Sequence, residues 1–486
     1  MNLAPGGAAA GSRVAPTFEP LMKGRPMIPL DQPLDLGWPD AAAFLADIQG
    51  NILKSHGRDY AHHVFVRFGP DVKAVRAWLS TFAASHVTSA AAQNAQSAMW
   101  KAGGGPGQLF ASVLLSAAGY AATGVPAGSV PSEPGRTYFQ RGMKNQAAAE
   151  RPFNDPPKER WEPAFQGDVH ALVILAHDNP QVLEQHTTAV VNSLAKVAAA
   201  TWVERGCRLT FPFPRGKLTI EHFGFEDGIS NPVLILQDAE AERAARGYDK
   251  WDGAAPLSLV LAAEPGPAGR YGSFFVFRKL EQKVRGFRSA LADLTRVLGP
   301  GADVERAGAM AVGRFRDGTP IVPTTAPTPR AELNNFTYAD DDPSGKVCPF
   351  HAHIRKTNPR GDSPLGLPGE RPLRIARRGI TYGERPDLAG GSQLPAPERG
   401  VGLLFMSYQA TLEQFAIQQE GSDSNDFARP GVGVDAVIGQ SATPAAQEWP
   451  AGSGKKFTMA NFVTLLGGEY FFAPSMPFLR ELGTKP

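Results

Sequence analysis

Three short segments combine residue types that could do chemistry. The first is Phe223-Gly224-Phe225-Glu226-Asp227-Gly228-Ile229-Ser230-Asn231-Pro232, in which two glycines bracket a carboxylate. Glycine permits tight turns and close approach of backbone to a flat ligand, so Gly228 can meet a ligand while Asp227 is aimed into a cavity. An ordinary Asp-Gly turn is the bland alternative. The second is Cys348-Pro349-Phe350-His351-Ala352-His353-Ile354-Arg355-Lys356-Thr357-Asn358-Pro359-Arg360. Cys348, His351 and His353 could bind zinc, but no second Cys/His cluster supplies a fourth ligand. A haem reading uses the segment more fully, with one imidazole on iron and arginines nearby to neutralise propionates. A basic loop with surface histidines is the third option. The third segment is Leu373-Arg374-Ile375-Ala376-Arg377-Arg378. Read as a strand, it places Leu373, Ile375 and Arg377 on one face and Arg374, Ala376 and Arg378 on the other. The apolar face points inward, so Arg377 is directed to the interior and Arg378 to solvent. An interior arginine requires an anionic partner or a functional cavity.

The elements that must position these segments alternate between strand and helix. His63–Phe68 has strand composition, followed by Val72, Val75, Trp78, Leu79 and Phe82 at helical spacing. Val169–Leu175 reads as a strand and 181–200 as its helix. The pattern returns at Ser273–Arg278, followed by a helix with Leu280, Val284, Phe287, Leu291 and Leu294 on one side. Val75-Arg76-Ala77-Trp78 is echoed by Val284-Arg285-Gly286-Phe287. Two related α+β halves are therefore expected, 41–220 and 221–486, behind a flexible tail or wrapping arm at 1–40 that is rich in Pro, Gly and Ala. Residues 299–345 and 358–371 read as loops. Val401–Tyr408, apolar on both parities, reads as a buried central strand. Residues 409–460 read as surface connections.

A chain of 486 residues with 42% hydrophobic and 20% charged residues can bury a large core. Its net charge of +2 offers no footprint for nucleic acid. Two cysteines, Cys207 and Cys348, make a disulfide framework implausible and exclude an iron–sulfur cluster, which needs about four thiolates. No run of about 18 uncharged apolar residues implies a membrane span. Residues 1–15 show neither an apolar signal core nor paired arginines, so a cytoplasmic location is the expectation.

In sequence order, these motifs resemble those of the dye-decolorising peroxidase family. Gly224-Phe225-Glu226-Asp227-Gly228 looks like its GxxDG signature, Asp47–Leu53 is similar to its opening motif, and Gly402–Gln409 is similar to a late core strand. The resemblance spans roughly residues 44 to 440. It implies two ferredoxin-like halves with antiparallel sheets, an α+β barrel-like duplication, with one haem b per chain lodged mainly in the second half. It further implies His353 as the axial iron ligand and Asp227 with Arg377 on the peroxide side. Leu403 and Phe405 would be apolar walls, and Arg360 and Arg355 propionate contacts. Between Gln418 and Phe427 the chain departs from relatives, which often carry a Trp- and Asn-containing loop there.

On this reading the enzyme reduces hydrogen peroxide and oxidises dyes, phenols or similar reductants through a ferryl haem. Asp227 is the acid–base group and Arg377 stabilises developing charge. Arg377 lowers the Asp227 pKa, which predicts an acidic optimum. Asp435 is the candidate partner of the second His353 nitrogen. Trp100, Trp161, Trp202, Trp251, Trp449 and Tyr408 are candidate electron relays for bulky dyes. A haem-handling protein with little turnover is the competing reading, but it has no use for Asp227 beside an inward Arg377.

Overall fold

The alternating strand and helix runs become two copies of one β-α-β-β-α-β unit. The computed structural model describes residues 28–484 apart from 105–106, 149–150, 215, 329–333 and 390–391. The first copy comprises β1 (Tyr60–Phe68), α1 (Val72–Ser85), β2 (Phe110–Leu115), β3 (Ala171–His177), α2 (Pro180–Leu194) and β4 (Ala198–Cys207). Helix starts are set locally. The Asp71 carboxylate accepts from Ala74 N, and Asn179 Oδ1 accepts from Gln181 N and Val182 N ahead of a first-turn proline.

After α3 (Leu236–Arg246), the second copy runs through β5 (Tyr271–Gln282), α4 (Val284–Leu298), α5 (Val304–Val312), α6 (His353–Thr357), β6 (Ala376–Arg377), β7 (Ile380–Tyr382), β8 (Gly402–Gln409), α7 (Leu412–Asp423) and β9 (Val463–Ala473). The strands order as β7-β8-β5-β9-β2-β3-β1-β4, with β6 also pairing β8. Each half has the ferredoxin-like order, and all these pairings are antiparallel. The halves join where Phe472 of β9 pairs with Leu115 of β2. At the other end Leu209 N donates to Thr381 Oγ1 at 3.1 Å, and Ile380 sits over Gly206, where a Cβ would lie 2.4 Å from its side chain. The sheet thus wraps into an α+β barrel. Its lumen is aromatic: Phe65 meets Phe277 edge-on with centroids 4.7 Å apart, and Phe275 lies 4.7 Å from Tyr408.

With the odd-numbered side chains of β5 committed to that lumen, Arg278, Leu280 and Gln282 face the opposite way. They line a cavity with Leu403 and Phe405 of β8 and Val463 and Leu465 of β9. Strand β8, apolar on both parities, serves both surfaces: Leu404, Met406 and Tyr408 are buried in the main core, and Leu403 and Phe405 wall the cavity.

Several expectations need correction. Residues 28–40 of the expected tail are clasped onto the second half: Leu34 is fully buried, forms a parallel bridge with Ile235, and donates from its backbone N to Leu234 O at 2.9 Å. The rest of the tail, 1–27, lies outside the described residues. The helix expected over 181–200 stops at Leu194, and 198–207 is a strand. Its Glu204 pairs with Lys279 of β5 at the barrel seam, and its Arg205 pairs with Glu184 of α2 at the surface. The loop expected at 299–345 contains α5, and the one at 409–460 contains α7, opened by a Thr411–Gln414 capping box with Leu412, Phe415 and Ala416 buried.

The strand expected at 373–378 survives only at Ala376–Arg377, because 371–373 form a 3₁₀ turn. Ile375 and Arg377 line the cavity as expected. Arg378 does not reach solvent. It is buried and donates to Asn51 O and Ile52 O, tying the first half to the second.

The clasp is testable. Leu34→Ala removes a fully buried side chain and is expected to cost about 2–5 kcal/mol, read as a lowered thermal midpoint. An unchanged melt would mean that residues 28–36 contribute no packing.

Candidate active site

His353 opens α6, directly after the extended Ala352. Its Nδ1 lies 2.9 Å from Asp435 Oδ2. Asp435 is fully buried, and its other oxygen accepts from Val437 N at 2.8 Å and Ile438 N at 3.0 Å. A carboxylate so engaged only accepts, so the His353 proton resides on Nδ1. Nε2 is left with no hydrogen-bond partner among the described residues, on a side chain that lines the cavity. Burial alone would push the His353 pKa down, but Asp435 outweighs it and holds the imidazole above the usual histidine value. Burial would likewise raise Asp435, and the imidazole holds it below the usual carboxylate range. Lys356, one turn on, donates to Ser424 O at 2.7 Å and Gly433 O at 2.8 Å, fastening the loop that carries Asp435. His351 takes no part: it is buried against Trp449, with ring centroids 4.2 Å apart, and does not line the cavity.

Asp227 lines the same cavity. Its Oδ1 accepts from Gly228 N at 2.6 Å and Arg377 at 2.7 Å, and among the described residues Oδ2 has no partner. Burial works to raise its pKa, yet Arg377 and the Gly228 N–H keep it below the usual carboxylate range. Arg377 is held by Asn231 Oδ1 on its backbone N and by Ile229 O on its guanidinium. Gly228 has φ +88°, and a Cβ there would meet nothing within 4 Å, so the turn presents bare backbone to open space.

Of the two arginines expected to meet propionates, Arg355 is misassigned. Its guanidinium is spent on Asp362, Asp342 and the Cys348 carbonyl between the Tyr338 and Phe350 rings, and it does not line the cavity. Arg360 does line it, and so does Arg314, which sequence reasoning missed. Both donate to Asn334 Oδ1 and Ser230 Oγ, and neither has a carboxylate partner among the described residues. Burial and their mutual repulsion push Arg360 down to about 9, and burial pushes Arg314 down to about 10. Arg360 and Ser230 also adopt positive φ, +47° and +64°, a cost tolerated where surrounding structure enforces it. The only signal for Arg314 was an Asp317-Gly318 turn just after it, inside a stretch read as loop.

These features fit a haem. The walls are apolar, with Leu403, Phe405, Phe415, Ile354, Val437 and Leu465 among them. One imidazole nitrogen is free, and the buried Arg314, Arg360 and Arg374 on the lining have no carboxylate partner among the described residues. A bare metal ion fits less well: among the described residues no three His, Cys, Asp or Glu side chains converge as ligands. Cys348 is buried beside Tyr338 and His351 is turned onto Trp449, both away from the cavity that His353 lines, so the three candidate zinc ligands do not converge. The departing stretch Gln418–Phe427 is largely the end of α7, and Gln418 and Gln419 line the cavity.

A family model described as the DyP dimeric alpha+beta barrel domain matches residues 47–205. The chain is 39% identical to the multifunctional dye peroxidase DyP2 of an Amycolatopsis species over 94% of its own length and 100% of the relative's. It is 32% identical to a dye-decolorizing peroxidase of Auricularia auricula-judae over 72% of each chain. The crystal structure of an Anabaena DyP-type peroxidase superposes with a TM-score of 0.82 at 36% identity, covering 90% of this chain and 95% of the other. A dye-decolorizing peroxidase in complex with 2,6-dimethoxyphenol superposes with a TM-score of 0.71 at 27% identity, covering 90% and 98%.

The His353–Asp435 pair makes a prediction with a definite sign. Because His353 is raised and Asp435 lowered, the pair's stabilisation is full between the unfolded-state values, about 3.9 and 6.5. It is lost as pH rises through the folded histidine value or falls through the folded aspartate value. Asp435→Asn is expected to drop the His353 pKa to or below the ordinary value, measured by NMR titration of the full chain without added haem. An unmoved titration would show that Asp435 does not polarise the ring.

Proposed function

The chain belongs to the dye-decolorising peroxidase family, and from that premise we propose that Asp227, Arg377 and His353 carry its reaction. It is a haem peroxidase that oxidises dyes and phenols. One haem b per chain would be held here by His353 Nε2 at the iron and by Arg360 and Arg314 at the propionates. When bound, haem would supply the redox chemistry: two electrons to hydrogen peroxide as its O–O bond breaks, recovered one at a time from the organic reductant.

The observation that carries the reading is the Asp227–Arg377 pair, with one aspartate oxygen engaged and the other free, in the cavity that His353 also lines. Asp227 Oδ2 accepts a proton from one oxygen of hydrogen peroxide and returns it to the other, the leaving one. Its lowered pKa keeps it a base through the acidic range. Arg377 neutralises negative charge on the departing oxygen and holds the peroxide in line. Leu403 and Phe405 exclude water, which strengthens both interactions. A haem carrier has no need of this pair.

Among the candidate relays, Trp251 is disfavoured. The guanidiniums of Arg360, Arg371 and Arg374 lie 4.5, 5.0 and 5.5 Å from its ring centroid, and three cations oppose removal of an electron. Trp100 is the exposed candidate, with 67% of its surface accessible at the end of the helix Ala90–Lys101.

Asp227→Ala is expected to slow the peroxide-dependent change of the Soret band by about 10²–10⁴-fold, and Arg377→Leu by about 10²–10³-fold. His353→Ala should abolish axial ligation in the visible spectrum. In the wild type the rate should hold through acidic pH and fall only as pH drops through the lowered Asp227 value. Stopped-flow traces across pH test this; wild-type rates in Asp227→Ala would remove the assignment.

A further inference from the structure

Glu221 lines the same cavity as Asp227, and the reaction described above does not use it. Its oxygens are almost fully committed. Oε1 accepts from Phe225 N at 3.0 Å, and Oε2 accepts from Phe223 N at 2.8 Å and from Gln282 Nε2 at 2.5 Å. The backbone of Glu221 closes the same turn, with its N donating to Phe225 O at 3.0 Å and its carbonyl accepting from Gly224 N at 2.9 Å. Gly224 has φ +102°, which brings the N–H groups of residues 223 and 225 to one side.

We propose that Glu221 is the positioning residue of the peroxide site: locked to Gln282 on β5, its carboxylate fixes the turn that presents Asp227 to the cavity. The inference rests on the reading of Asp227 given above. Asp227 lies two residues beyond Phe225, so the last peptide that Glu221 grips leads straight into it. The other leg is pinned independently, by Asp227 N to Thr219 O at 3.1 Å and Glu226 N to Arg316 O at 3.0 Å. Phe223 stacks on Phe287 at 4.3 Å, anchoring the turn in the second core cluster.

Only a side chain with two acceptor oxygens at this reach can take both N–H groups and the Gln282 amide. Glutamine offers one acceptor, and aspartate is a methylene short. Gln282 is itself directional. Its Oε1 is buried with no partner among the described residues, so the amide is held in place by what Nε2 gives to Glu221. Because β5 also supplies Arg278 and Leu280 to the cavity wall, the lock sets the distance between the Asp227 turn and the sheet.

The test uses the haem-loaded full chain and the isosteric variant Glu221→Gln. Hydrogen exchange of the peptide spanning 220–228 should quicken, and kcat/KM for peroxide should fall about 10–100-fold. KM for a small phenol and the intensity of the Soret band should be retained. In an Asp227→Ala background the same change should have little further effect on the peroxide rate, because the two act as one unit. Gln282→Leu, which removes one of the three bonds, should produce a smaller shift in the same direction. Unchanged exchange, a full peroxide rate despite faster exchange, or an undiminished effect in the Asp227→Ala background would each overturn the proposal. Asp227→Ala measured alone reports separately on the aspartate, so failure of that assignment is distinguishable from failure of the lock.

Discussion

An apolar cavity that must hold ionisable groups can do so only if each charge inside it is answered, and much of this molecule is arranged around that requirement. Asp435 is answered by two backbone N–H groups and the His353 ring. Arg278 is answered by a bidentate pairing with Asp155 and flanked by the Phe153 and Phe415 rings. Asp227 is answered by Arg377 and a backbone N–H, with one oxygen to spare. Arg314, Arg360 and Arg374 break the rule: the first two share neutral acceptors, and Arg374 donates only to the Arg371 and Ala254 carbonyls. An uncompensated buried cation is costly, so the place where the rule fails marks where an anionic group belongs.

The duplication explains why only one half carries the chemistry. Both halves turn one face of their strands into a common aromatic lumen. In the first half, the opposite face is covered by α1 and α2, whose Val75, Leu79, Leu183 and Leu194 are buried in the main core. In the second half, α4 packs with α5 and the Phe223–Phe225 turn in a separate cluster. The face bearing Arg278, Leu280, Leu403 and Phe405 is left for the segments that carry Asp227 and His353. The same ferredoxin-like unit is closed by helices once and opened into a cavity once.

Much of this was legible in the sequence, and the reasons differ by residue. Asp227 was flagged by flanking glycines, and Arg377 by an apolar strand parity that holds for the two residues that remain extended. His353 and Asp435 lie 82 positions apart and meet at 2.9 Å, a contact that no local pattern encodes and that was expected only because an imidazole on a metal calls for an acceptor at its other nitrogen. Arg355 was misjudged because proximity in sequence to His353 does not fix direction: two positions along a helix turn the side chain away. Arg314 and Glu221 were invisible for the converse reason. Arg314 is held by the Ser230 and Asn334 side chains, and Glu221 by two local N–H groups and the distant Gln282 amide; the fold brings these together, and neither residue stands in an unusual local composition. The strand 198–207 was missed because its alanine-rich start continues the helical run before it, and only pairing along β1 fixes it as extended.

The two sides of the cavity are tuned in opposite senses by one kind of device. On one side a buried carboxylate raises the proton affinity of an imidazole and leaves its other nitrogen free. On the other a guanidinium lowers the proton affinity of a carboxylate and leaves its second oxygen free. In each pair one partner is pinned: Asp435 by Val437 N and Ile438 N, Arg377 by the Asn231 side chain on its backbone N and by the Ile229 carbonyl on its guanidinium. The reactive atom therefore belongs to a side chain whose orientation is imposed by a partner that cannot readily move. Electrostatic preorganisation requires this, because donors and acceptors fixed before peroxide arrives need no reorganisation when charge develops. The stretches that carry His353 and Asp227 could be read as loops, yet each is stitched to regular structure through Lys356, Asp435 and Glu221, which is what makes a precise site on irregular backbone physically possible.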